Sequence, residues 1–278
     1  MESLVSTQWL ADHLGEPGLI IVDSSWHMPA TGRSGRDEFL QAHIPGARFL
    51  DIDEISDHSN PAPHMLPTAE EFAAAMERLG IGSGDRIVIY DNSPLHTAAR
   101  GWFTLRHFGA RDLAVLDGGF QKWVAEGRPV ERGEPPERTA RFEASERPEE
   151  VVTKQQILGG MSRAFVDARG APRFEGTEPE PRPGMASGHI PGARNIPYST
   201  LYNEDGTFRD PDQLRRIFND ANADPDQPFV ASCGSGVTAA SLVFAAHLLG
   251  SDKASLYDGS WSEWGADPAT PKELGPAA

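Results

Sequence analysis

Phe229-Val230-Ala231-Ser232-Cys233-Gly234-Ser235-Gly236-Val237-Thr238-Ala239 reads as an apolar strand, a glycine-containing loop and the start of a helix that continues to Leu249. Cys233 is the only cysteine in the 278 residues. A thiol at the end of a strand and the mouth of a helix faces backbone N–H groups and the positive end of the helix dipole. Both favour thiolate over thiol. Gly234 and Gly236 let the backbone curl closely around the sulfur, and Val237 and Thr238 open the helix. The predicted Thr238 role is to cap that turn or to donate toward the sulfur.

Outward from this loop the chain repeats itself. Ala42-His43-Ile44-Pro45-Gly46-Ala47-Arg48 recurs as Gly188-His189-Ile190-Pro191-Gly192-Ala193-Arg194. Leu116-Asp117-Gly118-Gly119-Phe120 with Trp123 recurs as Tyr257-Asp258-Gly259-Ser260-Trp261 with Trp264. The second pair is spaced more closely than the first, so the first copy carries extra residues, which we assign to Asp57 to Pro67. A period this long indicates duplicated domains and not a solenoid.

Short apolar strands alternate with helical patterns in each copy. The first copy reads Leu19 to Val22, helix Ala69 to Leu79, Arg86 to Tyr90, helix Thr97 to Phe108, and Leu113 to Leu116. The second reads Ala164 to Val166, helix Asp212 to Asn219, Phe229 to Ala231, helix Ala239 to Leu249, and Ala254 to Leu256. Such alternation predicts an α/β fold of two tandem domains, each a mainly parallel sheet flanked by helices. Ligands in such sheets lie at the carboxyl ends of strands, where Cys233 falls. We expect domains at 1–131 and 151–278. Residues 132–150, rich in Pro, Glu and Arg, are expected to form an exposed linker.

The chain has 25 basic and 41 acidic residues, a net charge of −16. That balance argues against nucleic acid and anionic membrane as partners, and leaves room for a small anionic substrate held by local arginines. One cysteine excludes an internal disulfide and a zinc site of several thiolates. The first residues, Met1 to Trp9, lack the pattern of a secretion signal, and no apolar run approaches a membrane span. The expectation is a soluble cytoplasmic protein. His58 and His64 lie in the long first-copy segment without metal-ligand spacing, so the reading calls for no metal and no cofactor.

The two HIPGA runs, the two DG endings and the cysteine loop together resemble the tandem rhodanese-fold sulfurtransferases. The resemblance covers essentially the whole chain. Within that family a loop reading CGSGVTA is similar to the 3-mercaptopyruvate sulfurtransferases, since thiosulfate-preferring members carry basic residues where this chain has Gly234 and Ser235. The stretch Arg173 to Arg182 is similar to those enzymes as well. The resemblance implies that Arg173 and Arg182 bind the substrate carboxylate and carbonyl, and that Gly234, Gly236, Val237 and Thr238 line the substrate loop. It also implies a catalytic second domain and a non-catalytic first one.

Its expected chemistry moves sulfane sulfur from 3-mercaptopyruvate through a Cys233 persulfide to a thiol, cyanide or thioredoxin-like acceptor. A proton relay through Ser235 with His43 is expected, with no aspartate assigned. The bland role of His43 and His189, ahead of Ile-Pro-Gly, is to orient a turn by hydrogen bonding. Aligning Thr97-Ala98-Ala99 on Thr238-Ala239-Ala240 sets Asn92 opposite Cys233, in a loop with no thiol and with Pro94, so an anion cradle is not expected there. Two other functions compete. A cysteine phosphatase requires Cys-x5-Arg, but the sixth residue after Cys233 is Ala239. Against a non-catalytic persulfide-binding or regulatory module stands the intact Cys233 loop. Thiosulfate sulfurtransfer on the same cysteine is the nearer alternative.

Overall fold

The computed structural model describes residues 1–277. The strands are β1 Leu4–Val5, β2 Leu19–Asp23, β3 Arg48–Phe49, β4 Arg86–Tyr90, β5 Asp112–Leu116, β6 Val151–Val152, β7 Ala164–Asp167, β8 Arg194–Asn195, β9 Phe229–Ser232 and β10 Ser255–Tyr257. The α-helices are α1 Thr7–His13, α2 Gly35–Gln41, α3 Ala69–Arg78, α4 Ala98–His107, α5 Gly119–Ala125, α6 Lys154–Leu158, α7 Ala171–Glu175, α8 Pro211–Asp220, α9 Ala239–Leu248 and α10 Ser260–Trp264. They build two five-stranded sheets, ordered β1-β5-β4-β2-β3 and β6-β10-β9-β7-β8. Every pairing is parallel. The second order is the first shifted by five strands, so the duplication read from the sequence extends to topology. The central strands Arg86–Tyr90 and Phe229–Ser232 are nearly all apolar because helices cover both faces of such a sheet. The four strands not anticipated, β1, β3, β6 and β8, have two residues each, too short to show a period.

The HIPGA run has the same structural task in both units. His43 Nδ1–H donates to the Phe39 carbonyl at 2.8 Å, and the ring stacks on Phe39 at 4.1 Å. His189 Nδ1–H donates to the Phe174 carbonyl at 2.9 Å, and its ring stacks on Phe174 at 3.7 Å. Each histidine backbone pairs with a glutamate further along, Glu131 or Glu273. The carboxylate of that glutamate accepts the N–H of Gly46 or Gly192, in each case at 2.8 Å. Both glycines have φ near +75° (75° and 73°), the left-handed region an L side chain rarely adopts. The tryptophans that end each repeat are buried, and their indole N–H groups donate to Pro129 and Pro271 carbonyls.

The unit boundaries differ from the expectation. The first unit comprises Met1–Ser56, Leu66–Arg147 and Asn203–Phe208; the second comprises Asp57–Met65, Pro148–Tyr202 and Arg209–Ala278. Each sequence repeat therefore lends a short segment to the other unit. Residues 203–208 belong to the first unit, where Asp117 accepts the Phe208 N–H and Lys122 donates to Asp205, each at 2.8 Å. Residues 132–147 run along the first unit as a strap whose residues are mostly exposed. Gly133 N–H donates to Leu40, the Arg138 guanidinium grips Asp85 at 2.6 and 2.7 Å, and Phe142 is buried edge-on against Phe72. Backbone bonds from Ser83 to Arg141 and from Ser145 and Arg147 to Phe108 and His107 add to that anchoring.

The two sheets differ in one buried charge. Asp23 and Asp167 end equivalent strands, and each accepts the backbone N–H two residues on at 2.9 Å. In the second unit that residue is Arg169, whose guanidinium pairs with Asp167. In the first it is Ser25, which offers a hydroxyl and no cation. Burial pushes Asp23 up to about 7, against the lowering from its Ser25 hydrogen bonds. The folded protein therefore holds a proton on Asp23 that the unfolded chain releases near pH 4. The associated stability is full below that pH and is lost as pH rises through about 7. Asp23→Asn should accordingly raise the Tm more at pH 8 than at pH 5, by on the order of 2 kcal/mol in stability. A variant whose Tm follows the wild-type pH curve would remove Asp23 as its source.

Candidate functional site

The cysteine loop of the second unit begins where β9 ends. Cys233 is 1% exposed. Its carbonyl accepts the Trp261 N–H at 2.9 Å, and the Gly234 carbonyl accepts from Ser262 at 2.8 Å, so the start of α10 anchors the loop from behind. Ser260 adds a second anchor. Its Oγ–H donates to the Tyr257 carbonyl at 2.7 Å, while its oxygen accepts the N–H groups of Cys233 and Gly236 at 3.1 Å each. Ser260 holds φ of +47°, strained for a residue with a Cβ; the equivalent residue in the first unit is Gly119. Gly236 has φ of +77°, which turns the chain into α9.

The remaining loop amides are available. Among the described residues, the N–H groups of Gly234, Ser235, Val237, Thr238 and Ala239 donate to no protein acceptor. Thr238 makes no side-chain cap bond, so the predicted capping role is not observed. The N–H groups cluster at the N-terminus of α9, whose residues from Ala239 to Ala246 are all buried. A group of open donors at a helix N-terminus in a buried setting stabilises negative charge.

Comparison with the first unit shows how such a loop treats an anion. Tyr90 and Ser232 are paired with Asp23 and Asp167 in the two sheets. The next residues, Asp91 and Cys233, both present carbonyls to the N–H of Phe120 or Trp261 at 2.9 Å. The counterpart of Cys233 is thus Asp91 and not Asn92, because the first loop is one residue longer. The expected absence of an anion cradle there is also corrected. Asp91 Oδ1 accepts the Ser93 N–H and Oδ2 accepts the Ala98 N–H, each at 2.8 Å. The cradle exists and is filled by the chain's own carboxylate, which burial pushes up in pKa while His96 and the two N–H groups pull it down.

The arginines reveal a second inversion. Arg173 precedes Phe174, the residue stacked on His189, and Glu38 precedes Phe39, the residue stacked on His43. A cation in the second unit thus stands where the first has an anion, and Glu38 is consumed by Arg33 and Asn92. Arg173, the middle residue of the short helix α7, lies against the cysteine loop: a Cβ added to Gly234 would sit 3.2 Å from its Nη2. Glu180 holds the edge that includes that same nitrogen, at 2.5 Å to Nη2 and 3.3 Å to Nε. Arg182 is half-buried in the same loop. Tyr198 feels both Arg173 and Cys233 electrostatically, although burial is what mainly raises its phenol.

Ser235 does not pair with His43. Its Oγ lies 2.8 Å from Nδ1 of His64, in the Asp57–Met65 segment that belongs to the second unit. With the proton on Nε2, Nδ1 accepts the Ser235 hydroxyl proton. The segment is closed at its neck by the Asp57 N–H donating to Met65. His64 is 4% exposed, with φ of +63°. His43 is engaged otherwise, its Nδ1 spent on Phe39 and its ring stacked in the first core. Neither the left-handed backbone at His64 nor the transfer of its segment to the other unit leaves a mark in the sequence.

Among the described residues no group of three or more His, Cys, Asp or Glu side chains is arranged to hold a metal ion. No helix is long and apolar enough to cross a membrane. The chemistry the site offers is that of one buried sulfur, an amide cradle, a loop-facing guanidinium and a serine–histidine pair.

Comparison with known proteins accords with this geometry. The family model described as a rhodanese-like domain matches residues 6–126 and again 151–267. The chain is 44% identical over 271 residues to a 3-mercaptopyruvate sulfurtransferase of Rattus norvegicus, covering 94% of this chain and 91% of that protein. It is 42% identical over 272 residues to a thiosulfate sulfurtransferase of Cricetulus griseus, with the same coverage, 94% and 91%. The crystal structure of SseA from Escherichia coli, a 3-mercaptopyruvate sulfotransferase, superposes with a TM-score of 0.86 at 38% identity, over 95% of this chain and 100% of that one. A duplicated fold, a strand-end cysteine loop and matches to both halves together establish that the chain belongs to the rhodanese family, in its two-domain form.

Proposed function

We propose that the protein is a 3-mercaptopyruvate sulfurtransferase working through a persulfide on Cys233. The observation that carries the reading is the loop comparison. In the first unit an aspartate carboxylate, Cβ–Cγ–Oδ, is held by the Ala98 N–H. A cysteine persulfide, Cβ–Sγ–Sδ, has its anion the same number of bonds from the backbone. Ala239 is the counterpart of Ala98, and its N–H and the other open loop amides suit the outer sulfur.

In this scheme the Cys233 thiolate attacks the donor sulfur. An S–S bond forms, the C–S bond breaks, and its electron pair leaves as the enolate of pyruvate. Arg173 and Arg182 offer charge-assisted hydrogen bonds to the carboxylate and carbonyl oxygens. The Ser235–His64 pair moves the donor's thiol proton toward the enolate carbon. A thiol, cyanide or thioredoxin-like acceptor then attacks the outer sulfur and regenerates the thiolate. Gly234 and Ser235, where basic residues would suit a dianionic donor, support mercaptopyruvate over thiosulfate; the likeness to a thiosulfate sulfurtransferase keeps thiosulfate as a weaker donor. The acidic composition and the single unpaired cysteine support a cytoplasmic site of action, away from nucleic acid and membrane.

Four measurements test this reading. Pyruvate release from 3-mercaptopyruvate should show a higher kcat/KM than sulfite release from thiosulfate, and Cys233→Ser should abolish both; retained turnover in that variant would refute the mechanism. Arg173→Ala and Arg182→Ala should each cost roughly 1–3 kcal/mol in kcat/KM for mercaptopyruvate, the range for a charged hydrogen bond; unchanged kinetics would return both to structural roles. Ser235→Ala and His64→Ala should each lower kcat with mercaptopyruvate by about 100-fold, with no further loss in the double variant. His43→Ala should lower Tm and spare kcat; the opposite pattern would restore His43 as the relay partner.

A further inference from the structure

Glu180 is buried more deeply than its role as a loop carboxylate requires. Its side chain is 1% exposed, as are those of Arg169 and Asp167, whereas Arg173 is 29% exposed. Oε1 accepts from Arg169 Nη1 at 2.6 Å, and the carboxylate as a whole spans the Nε and Nη2 edge of Arg173. Here the two cations it lies between offset the cost of burying it.

Arg169 does not depend on Glu180 for its neutrality. It is already matched by Asp167 through Nε and Nη2, donates to the Gly188 carbonyl at 2.8 Å, and lies 4.5 Å from the centre of the Trp261 ring. Burial opposes its charge, but the two carboxylates together outweigh that and hold it above its ordinary range. Arg173 differs. It sits in the middle of a five-residue helix on a long, rotatable side chain, and its hydrogen bonds among the described residues run to Glu180. Glu180 occupies the Nε and Nη2 edge of the guanidinium, so Nη1 and the second Nη2 hydrogen make no hydrogen bond among the described residues, and Nη2 is the atom beside Gly234.

We propose that Glu180 is a positioning residue for donor recognition. It is anchored on the buried Arg169 and holds Arg173 with its open N–H groups turned to the cysteine loop. The inference rests on Arg173 as the ligand of the donor carboxylate. Preorganisation of this kind reduces the ordering cost of binding and leaves the sulfur-transfer step untouched. It therefore acts on KM and not on kcat.

The test compares Glu180→Gln, Arg173→Ala and the double variant in steady-state kinetics with 3-mercaptopyruvate, alongside Tm. Glu180→Gln should raise KM roughly 3- to 10-fold, the factor for immobilising one long side chain, with kcat within about twofold. In the Arg173→Ala background the same change should add nothing to KM. An unchanged KM in Glu180→Gln, or an equal rise in the Arg173→Ala background, overturns the proposal for Glu180 alone. An unchanged KM in Arg173→Ala overturns the donor-binding assignment beneath it. Should Glu180→Gln fail to fold, Glu180→Asp keeps the charge and shortens its reach; a raised KM at near-native Tm supports the proposal, and an unchanged KM contradicts it.

Discussion

A parallel strand that runs straight into a buried helix leaves a cluster of N–H groups at its carboxyl end, and those groups need negative charge. This constraint organises both halves of the molecule. In the first unit the charge is built in: Asp91 takes the amides of Ser93 and Ala98, and the loop is closed to outside ligands. In the second unit the equivalent residue is Cys233, and five amides of the loop have no protein acceptor. The same scaffold thus holds a built-in carboxyl group in one copy and prepares for a transient anion in the other. A sulfur that alternates between thiolate and persulfide is an anion of the second kind.

The charges around each loop follow from that difference. Where the carboxyl group is built in, the neighbouring position carries Glu38, tied to Arg33, and the strand end keeps Asp23 with only Ser25 beside it. Where the anion is exchanged, the neighbouring position carries Arg173, and the strand end has Asp167 matched by Arg169. Asp167, Arg169, Glu180 and Arg173 form an alternating chain that is neutral as a whole, so it keeps a cation by the loop without burying a net charge. Ser260 accepts strain at φ of +47° in return for a hydroxyl that ties down two amides of the loop. Gly119 lacks that hydroxyl in the first unit, where the aspartate organises the loop instead.

The long strands, the long helices and the duplication were legible in the sequence because they rest on period and on repeated motifs. Arg86–Tyr90 is nearly all apolar, and Thr68 with Glu71 forms a capping box ahead of α3. Cys233 was legible for the same reason: a lone thiol between a strand and a helix has few other readings. What stayed hidden depends on geometry without a local signature. Asp91 is displaced by one residue in any gapless alignment, since only the strand pairing reveals the longer loop. His43 and His64 are chemically alike, but one is spent on a carbonyl and a ring, and the other meets Ser235 through a segment that leaves its own repeat. Arg169 sits amid charged residues that look solvated until the fold buries it at 1% exposure.

The central claim is that the Cys233 loop stores sulfur as an anion held by its amides. The most direct measurement is the mass of the Cys233 peptide from protein incubated with 3-mercaptopyruvate and quenched without reductant. Cys233 should gain one sulfur atom, removed when cyanide is added. Release of pyruvate with Cys233 unmodified throughout turnover would contradict it.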